Sequence, residues 1–452
     1  SAPQSTRFRF IDLFAGIGGF HHALSSPEFG GECVFASEVD PTCQEVYRRT
    51  WPGMADRLVG DIRKITFRED GSDRSDSEIS TLIPDHEVLC AGFPCQPFSK
   101  SGLQLGELDA VRGTLFHDIV KIARAKKPRF LILENVRNLA GPRHERTWET
   151  IVSTLRGIGY RVSETPVVFS PHLLPPEMEG RPQVRDRVFI LATRLSEKHS
   201  ASDLEQEPLV TKAPQGGWNP HLWNIEDYLQ NDSEVEHIER YRLRPEEEAW
   251  INAWQSFTQG IAADDLPGFP IWVDAFKPRP DREPGIPTWK QNFLDKNSAF
   301  YNDNRLFIRS WLKESWLPDR KYTVRDFPTS RRKFEWQART AQPRRADRDL
   351  WKLTLHLRPS GIRVKPATYL PALVAITQTS IIGSRARRIT PIEAGRLQGF
   401  PDSVFDTPDL DDAAAYKQVG NAVNVGAVKF VASRLFQSAG ESWGTLQKPH
   451  AA

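Results

Sequence analysis

Cysteine is scarce in this chain: Cys33, Cys43, Cys90 and Cys95 are all there are in 452 residues. So few exclude a disulfide framework, and no Cys-x-x-Cys pair meets a second one to hold zinc. A reducing, cytoplasmic compartment is therefore expected. Long apolar runs are missing too. None reaches about 18 residues and no charged-then-apolar leader is present, so neither a membrane span nor a secretory signal is expected. Charge of one sign is not in excess, with 60 Lys and Arg against 58 Asp and Glu. That balance excludes a uniformly basic polyanion binder but leaves room for a basic face. Such a face is visible locally. Arg320 to Arg348 holds ten basic residues against three acids, and Arg358 to Arg396 seven against one, while Arg244-Pro-Glu-Glu-Glu248 and Asp409 to Asp412 are acidic. His21 and His22 are adjacent, but neighbours on a helix point in different directions and no further ligands cluster with them, so no metal is expected.

The length exceeds the usual reach of one hydrophobic core and predicts two domains. Short apolar runs alternate with helical patterns over the first part: Phe8 to Phe14, Cys33 to Ser37, Glu87 to Ala91, Phe130 to Leu133, Val162 to Phe169 and Val188 to Ala192 read as strands. That alternation marks an α/β sheet covered by helices. After about Thr193 the character changes. Ten of the thirteen tryptophans fall between Trp218 and Trp351, where they read as core, and Pro-rich stretches such as Phe276 to Pro284 break any long periodicity. The α/β style resumes near Thr390, with a helix expected from Pro391 to Leu397 and another from Asn424 to Leu435. The expected organisation is thus a domain over 1–195, a second, smaller domain over 196–388, and a segment over 389–452 that returns to the first.

Several strands end on reactive groups. Val88-Leu-Cys-Ala-Gly-Phe-Pro-Cys95-Gln-Pro-Phe-Ser99 ends an apolar run on a cysteine among turn residues. A cysteine there is more often a small core residue than a nucleophile. Its company changes the balance: Leu131-Ile-Leu-Glu134-Asn135 ends a strand on a carboxylate, and Gln183-Val-Arg185-Asp-Arg187 leads into another strand. Thiol, acid and paired guanidinium groups at separate strand ends can form one catalytic constellation. Asp12-x-Phe14-x-Gly16-Ile17-Gly18-Gly19 follows a strand and opens a helix, which suits close approach of a nucleotide-like ligand, although a glycine-rich turn also serves packing alone. The next strands end in Ser37-Glu38-Val39-Asp40 and Gly60-Asp61-Ile62, where acids can receive ribose hydroxyls or an amine.

Taken in order, Phe10 to Phe20, Gly92 to Ser99, Glu134-Asn135-Val136, Gln183-x-Arg185-x-Arg187, Arg388 to Pro401 and Gln418-Val-Gly-Asn421 resemble the motifs of the DNA cytosine-5 methyltransferases of bacterial restriction-modification systems. The resemblance spans roughly residues 7–195 and 355–437. It implies a Rossmann-like S-adenosylmethionine-dependent methyltransferase sheet with a target recognition domain in 196–388. The implied cofactor residues are Phe14, Gly16, Ile17, Gly18, Gly19, Glu38 (ribose), Val39, Asp61 (adenine amine), Ile62, Pro94, Leu115 and Asn421. Relatives often have an aromatic where this chain has Val39. Cys95 is the implied nucleophile toward C6 of cytosine, Glu134 the group that meets N3 and the exocyclic amine, and Arg185 and Arg187 the partners of O2 and of the cysteine region. The target base would be flipped out of the duplex, with Gln96, Ser99 and Ser101 on a loop that closes over DNA.

Within 196–388, Arg331, Arg332, Gln337, Arg358 and Arg363 have the fork or amide geometry that base edges need, although for any single arginine holding phosphate or facing solvent is the commoner role. The implied partners are double-stranded DNA and a restriction endonuclease of the same specificity, with the enzyme acting as a monomer. Three alternatives stand beside this. A DNA-binding relative without catalysis is opposed by the intact Cys95, Glu134, Arg185 and Arg187. A tRNA cytosine methyltransferase would use the same chemistry, but the long recognition segment favours DNA. A nicotinamide oxidoreductase follows from the Gly-rich turn alone and leaves the cysteine motif unexplained.

Overall fold

The computed structural model describes residues 6–94, 96, 111–261, 265–339, 348–373 and 379–444. The chain forms two compact units, one of residues 1–223, 371–375 and 394–452, the other of residues 224–370 and 376–393. The first unit is α/β. Its strands are β1 (Phe8–Leu13), β2 (Gly31–Ser37), β3 (Leu58–Val59), β4 (Val88–Gly92), β5 (Phe130–Val136), β6 (Tyr160–Val162), β7 (Val167–Phe169) and β8 (Arg187–Arg194). They lie in the order β3-β2-β1-β4-β5-β8-β6, with β7 also paired to β8. The run from β3 to β5 is parallel, and β8 runs antiparallel to β5, β6 and β7.

Parallel strands covered on both faces read as continuous apolar runs rather than alternating ones. In β1, Phe8, Phe10, Ile11 and Leu13 are all buried, and so are Leu131, Ile132 and Leu133 in β5. The helices Leu115–Lys126 and Glu145–Gly157 pack Phe116, Ile119, Val120, Ile151 and Leu155 into the same core. The helix expected near Asn424 spans Val425–Ser438, and Asn424 caps it by accepting from the Ala427 N–H at 3.0 Å. It packs on β8 and on the helix Gly19–Leu24.

The segment expected as one strand from Val162 to Phe169 is two, β6 and β7, both paired to β8. Between them Pro166 has no N–H to give a ladder, and Ser163 folds the chain by accepting from the Thr165 N–H at 3.1 Å.

The second unit holds a mixed sheet of β9 (Ile271–Trp272), β10 (Lys333–Trp336), β11 (Thr354–Arg358), β12 (Gly361–Lys365), β13 (Ile381–Ile382) and β14 (Arg387–Arg388), in the order β9-β10-β12-β11-β13-β14. Here the strands alternate. Phe334, Trp336, Leu355, Leu357, Ile362 and Val364 join a core with Trp254 and Trp311, so the period of two sends Lys333, Glu335, His356, Arg358, Arg363 and Lys365 to the other face. Trp250, Trp254, Trp311 and Trp336 are buried in this unit, whereas Trp289 is exposed.

Candidate active site

In the parallel part of the first sheet the strand order reverses between β1 and β4, and a crevice beyond the carboxyl ends of the strands is expected at such a switch point. A cavity of about 510 Å³ opens there. Five strand ends line it: Phe14 and Gly16 after β1, Ser37 to Asp40 after β2, Gly60 to Ile62 after β3, Gly92 to Pro94 after β4, and Glu134 to Val136 in β5. Leu115, Arg185, Arg187, Gln418, Gly420 and Asn421 complete the wall. A larger opening of about 900 Å³ lies by Leu139, Trp148 and Arg156, but its arginine is already paired with Glu164 at 2.9 Å and it gathers no comparable set of groups.

The turn after β1 is shaped around Glu38. Phe14 and Gly16 take left-handed φ values of 54° and 56°, and the Gly16 N–H donates to Glu38 Oε1 at 2.8 Å. The Asp40 N–H donates to Oε2 at 3.0 Å. Two backbone donors thus fix the carboxylate and leave further lone pairs for a ligand. Asp61 is differently engaged. Arg63 donates to its Oδ1 from the backbone at 2.9 Å and pairs with Oδ2 at 3.1 Å. Burial raises the Asp61 pKa, but these bonds outweigh it and hold the carboxyl below its ordinary value.

Glu134 sits opposite Gly92 in the sheet. A Cβ at Gly92 would come within 3.3 Å of Glu134 Oε2, so glycine there lets the carboxyl lie against β4. Burial raises the Glu134 pKa, opposed by the charges of Arg185 and Arg187. Arg187 Nε lies 3.2 Å from Glu134 Oε1. Arg185 acts as a brace: its guanidinium donates to the carbonyls of Leu373, Gly420 and Ala422 at 3.2, 2.8 and 3.0 Å. Burial and Arg187 pull its pKa down to about 9. Arg185 Nε and Asn135 Nδ2 are buried without partners among the described residues.

Most of the expected cofactor residues meet at this cavity: Phe14, Gly16, Glu38, Val39, Asp61, Ile62, Pro94, Leu115 and Asn421 line it. Ile17, Gly18 and Gly19 do not. Ile17 is core, a Cβ at Gly18 would strike the Trp51 ring at 2.3 Å, and one at Gly19 the Val423 carbonyl at 2.3 Å. Glu134, Arg185 and Arg187 line the same cavity. Gln96 accepts from the Leu115 N–H at 2.8 Å. Cys95, Ser99 and Ser101 lie outside the described residues. Sequence reasoning missed Ser37, Cys43, Arg63 and Gln418; Ser37 and Gln418 stand in quoted motifs, but nothing in their type marked them for the cavity. The Cys43 thiol is pushed up to about 12 by burial and then by Glu38 and Asp40, and the buried Cys33 and Cys90 thiols are raised as well.

In the second unit, Arg331 is buried, donates to the Arg358 carbonyl at 2.8 Å and lies over the Trp250 ring. Arg332 is tied to Asp274 at 2.9 Å. Gln337 and Arg363 both donate to Glu335, at 3.0 and 2.8 Å, and Arg358 is half-buried, its pKa lowered by burial.

Residues 8–437 match the family described as C-5 cytosine-specific DNA methylase. The chain belongs to this family. Among similar proteins, the Type II methyltransferase M.AluI of Cellulosimicrobium cellulans is 39% identical, covering 95% of this chain and 92% of that protein. The Type II methyltransferase M.HhaI of Haemophilus parahaemolyticus is 37% identical over 96% of each chain. The Type II methyltransferase M.HpaII of Haemophilus parainfluenzae is 38% identical over 96% of this chain and 90% of its own. This C-5 cytosine methylase is therefore an enzyme of the DNA (cytosine-5-)-methyltransferase class, and the oxidoreductase reading falls. Members of the family use S-adenosylmethionine as methyl donor. Among the described residues no helix is long and apolar enough to cross a membrane.

Proposed function

We propose that this methylase acts at one short sequence in double-stranded DNA, transferring a methyl group to C5 of a cytosine that is turned out of the helix and joined through C6 to Cys95. The observation that carries the reading is the shared cavity: strand-end acids Glu38 and Asp61 line it together with Glu134, Arg185 and Arg187.

The cavity suits S-adenosylmethionine. Glu38, fixed by two N–H donors, keeps lone pairs for a ribose diol, Asp61 for an amine, and Phe14, Val39, Ile62, Pro94 and Leu115 offer apolar surface. Asn421 adds a polar wall, while Ile17, Gly18 and Gly19 shape the turn from behind. When bound, the cofactor supplies a sulfonium methyl group as the electrophile for C5.

Cytosine C5 is too weak a nucleophile without activation. The Cys95 thiolate adds to C6 while Glu134 gives a proton to N3, making C5 the carbon of an enamine. The raised Glu134 pKa supports the protonated starting form. As a carboxylate, Glu134 then accepts from the exocyclic amine. Arg187 holds Glu134 and adds positive charge beside O2, and Arg185 fixes the wall near Gly420. After transfer, water or hydroxide removes the C5 proton, the C–S bond breaks with its pair returning to sulfur, and N3 gives its proton back to Glu134. With the other three thiols held protonated, Cys95 is the nucleophile the chemistry needs.

Residues 196–388 form the target recognition domain in this reading, with Gln96, Ser99 and Ser101 also meeting DNA. The Type II names of the relatives support pairing with an endonuclease of the same specificity, and the enzyme works as a cytoplasmic monomer. The test is to incubate the protein with S-adenosylmethionine and a randomised duplex library and sequence the 5-methylcytosines. One short methylated sequence is expected from the parent, none from Cys95→Ala, and 5-fluorocytosine duplexes should trap only the parent. No methylation by the parent, or equal trapping by Cys95→Ala, would overturn the proposal.

A further inference from the structure

The polar face of the second sheet carries a row of paired groups across three strands. Glu335 on β10 stands directly opposite Arg363 on β12, and Arg363 stands opposite His356 on β11. Glu335 Oε2 receives two donors, Arg363 Nε at 2.8 Å and Gln337 Nε2 at 3.0 Å. The Arg363 and Glu335 side chains remain about a quarter exposed, at 25% and 27%. Among the described residues the two Nη groups of Arg363 have no partner, so four N–H donors of the guanidinium are left over.

The other basic side chains in reach are used differently. The Arg331 guanidinium is committed to the Arg358 carbonyl, and that of Arg332 to Asp274 and the Phe327 carbonyl. Around Arg363 the face stays positive. Lys365 lies two residues on, Arg358 opposite Gly361, and Lys333 two residues before Glu335. Burial and then the charge of Arg363 lower the pKa values of Arg358 and Lys365, with Glu335 opposing in part.

We infer that Arg363 reads a guanine in the DNA target, its Nη groups meeting O6 and N7, and that Glu335 is the positioning residue that holds the guanidinium for it. This rests on the reading of the chain as a site-specific DNA methylase. The carboxylate decides between a base and a phosphate. Glu335 beside a phosphate would repel it, whereas the acceptors of a guanine edge are neutral. An arginine gripped through Nε also keeps both Nη groups for the end-on bidentate contact that distinguishes guanine in the major groove. Lys333, Arg358 and Lys365, which form no ion pair among the described residues, suit the flanking phosphates.

The test uses the full-length protein and a duplex library carrying all substitutions of the parent's own methylated sequence, with cofactor affinity and far-ultraviolet circular dichroism checked for each variant. Arg363→Ala and Arg363→Lys should both lose discrimination at the same single G·C pair by about ten- to a hundred-fold, because lysine keeps the charge but not the fork. Glu335→Ala should relax the same pair, and Glu335→Gln, which still accepts from Nε, should restore most of it. Lys365→Ala should instead weaken all sequences together and flatten the salt dependence by about 0.9 log units. If Arg363→Lys keeps the parent's preference, or Arg363→Ala weakens every sequence alike with the same flattening, Arg363 is a phosphate contact and the inference fails. A parent that methylates no cytosine would fail the wider reading first, a result distinct from altered preference.

Discussion

A buried carboxyl at the end of a strand has two fates, and at Glu134 they compete within one side chain. Burial favours the neutral acid, while Arg185 and Arg187 favour the carboxylate, and burial prevails. In the proposed mechanism this favoured proton is the one given to N3. Glu134→Gln keeps the shape beside Arg187 but has no proton to give. It should lower kcat by roughly 10²- to 10⁴-fold with cofactor affinity unchanged, and single-turnover methylation with calorimetry of cofactor binding checks both. In the parent, activity should fall as pH rises through the raised pKa, and this limb should vanish in the variant. An unchanged kcat would remove Glu134 from the chemistry. At this scale residue type and strand-end position made Glu38, Asp61 and Glu134 legible in the sequence. Their partners were not legible. Nothing in the order of residues says that Arg63 occupies Asp61, that Arg185 spends its guanidinium on the carbonyls of residues 373, 420 and 422, or that Arg331 is buried against Trp250.

Among elements, the turn after β1 shows how two neighbouring glycines differ in purpose. Gly16 has a φ of 56° with nothing within 4 Å of an added Cβ, whereas Gly18 has a φ of 91° and faces the Trp51 ring at 2.3 Å. Trp51 is itself stacked on His21, with centroids 3.7 Å apart and planes 4° from parallel, so it cannot move aside without breaking that packing. Gly18→Ala should therefore cost about 2 to 4 kcal/mol, strain and overpacking together, against about 1 to 2 for Gly16→Ala from the left-handed conformation alone. Urea unfolding midpoints of the two variants measure the difference, and equal shifts would show that Trp51 yields freely. The strands that the sequence displayed by continuous apolar runs were β1, β2, β4, β5 and β8, while β3 was expected only from the acid at its end, Asp61. The two-residue β3 carries no such run, and the placing of β8 between β5 and β6 is a matter of long-range pairing that a local pattern does not encode. The strands of the second sheet escaped notice because alternation over four or five residues, interrupted by Pro-rich connections, is too short a record.

Over the whole molecule, histidine burial links the fold to pH. Burial is the leading cause that lowers the pKa values of His21 and His356 to about 3 and those of His22, His86, His117 and His172 to about 4. Unfolded, each returns toward about 6.5. Between those values the unfolded chain binds protons that the folded chain refuses, so the stability present above pH 6.5 is lost as pH falls toward 4. Three buried carboxyls pull the other way: Asp118, raised to about 6 by burial, and Asp12 and Glu134, also raised by burial, take up protons in the folded state first. With six histidines set against three carboxyls, the net effect expected is a falling melting temperature from pH 7.5 to pH 5. Differential scanning fluorimetry across that range in buffers of equal ionic strength measures it. His22 offers the cleanest single check, because its Nε2 is buried without a partner among the described residues and gives no hydrogen bond to lose. His22→Gln should flatten the acid limb while changing the melting temperature at pH 7.5 much less than at pH 5. A melting temperature that rises on acidification would mean that the carboxyls dominate, and that the buried histidines already carry their protons in the fold.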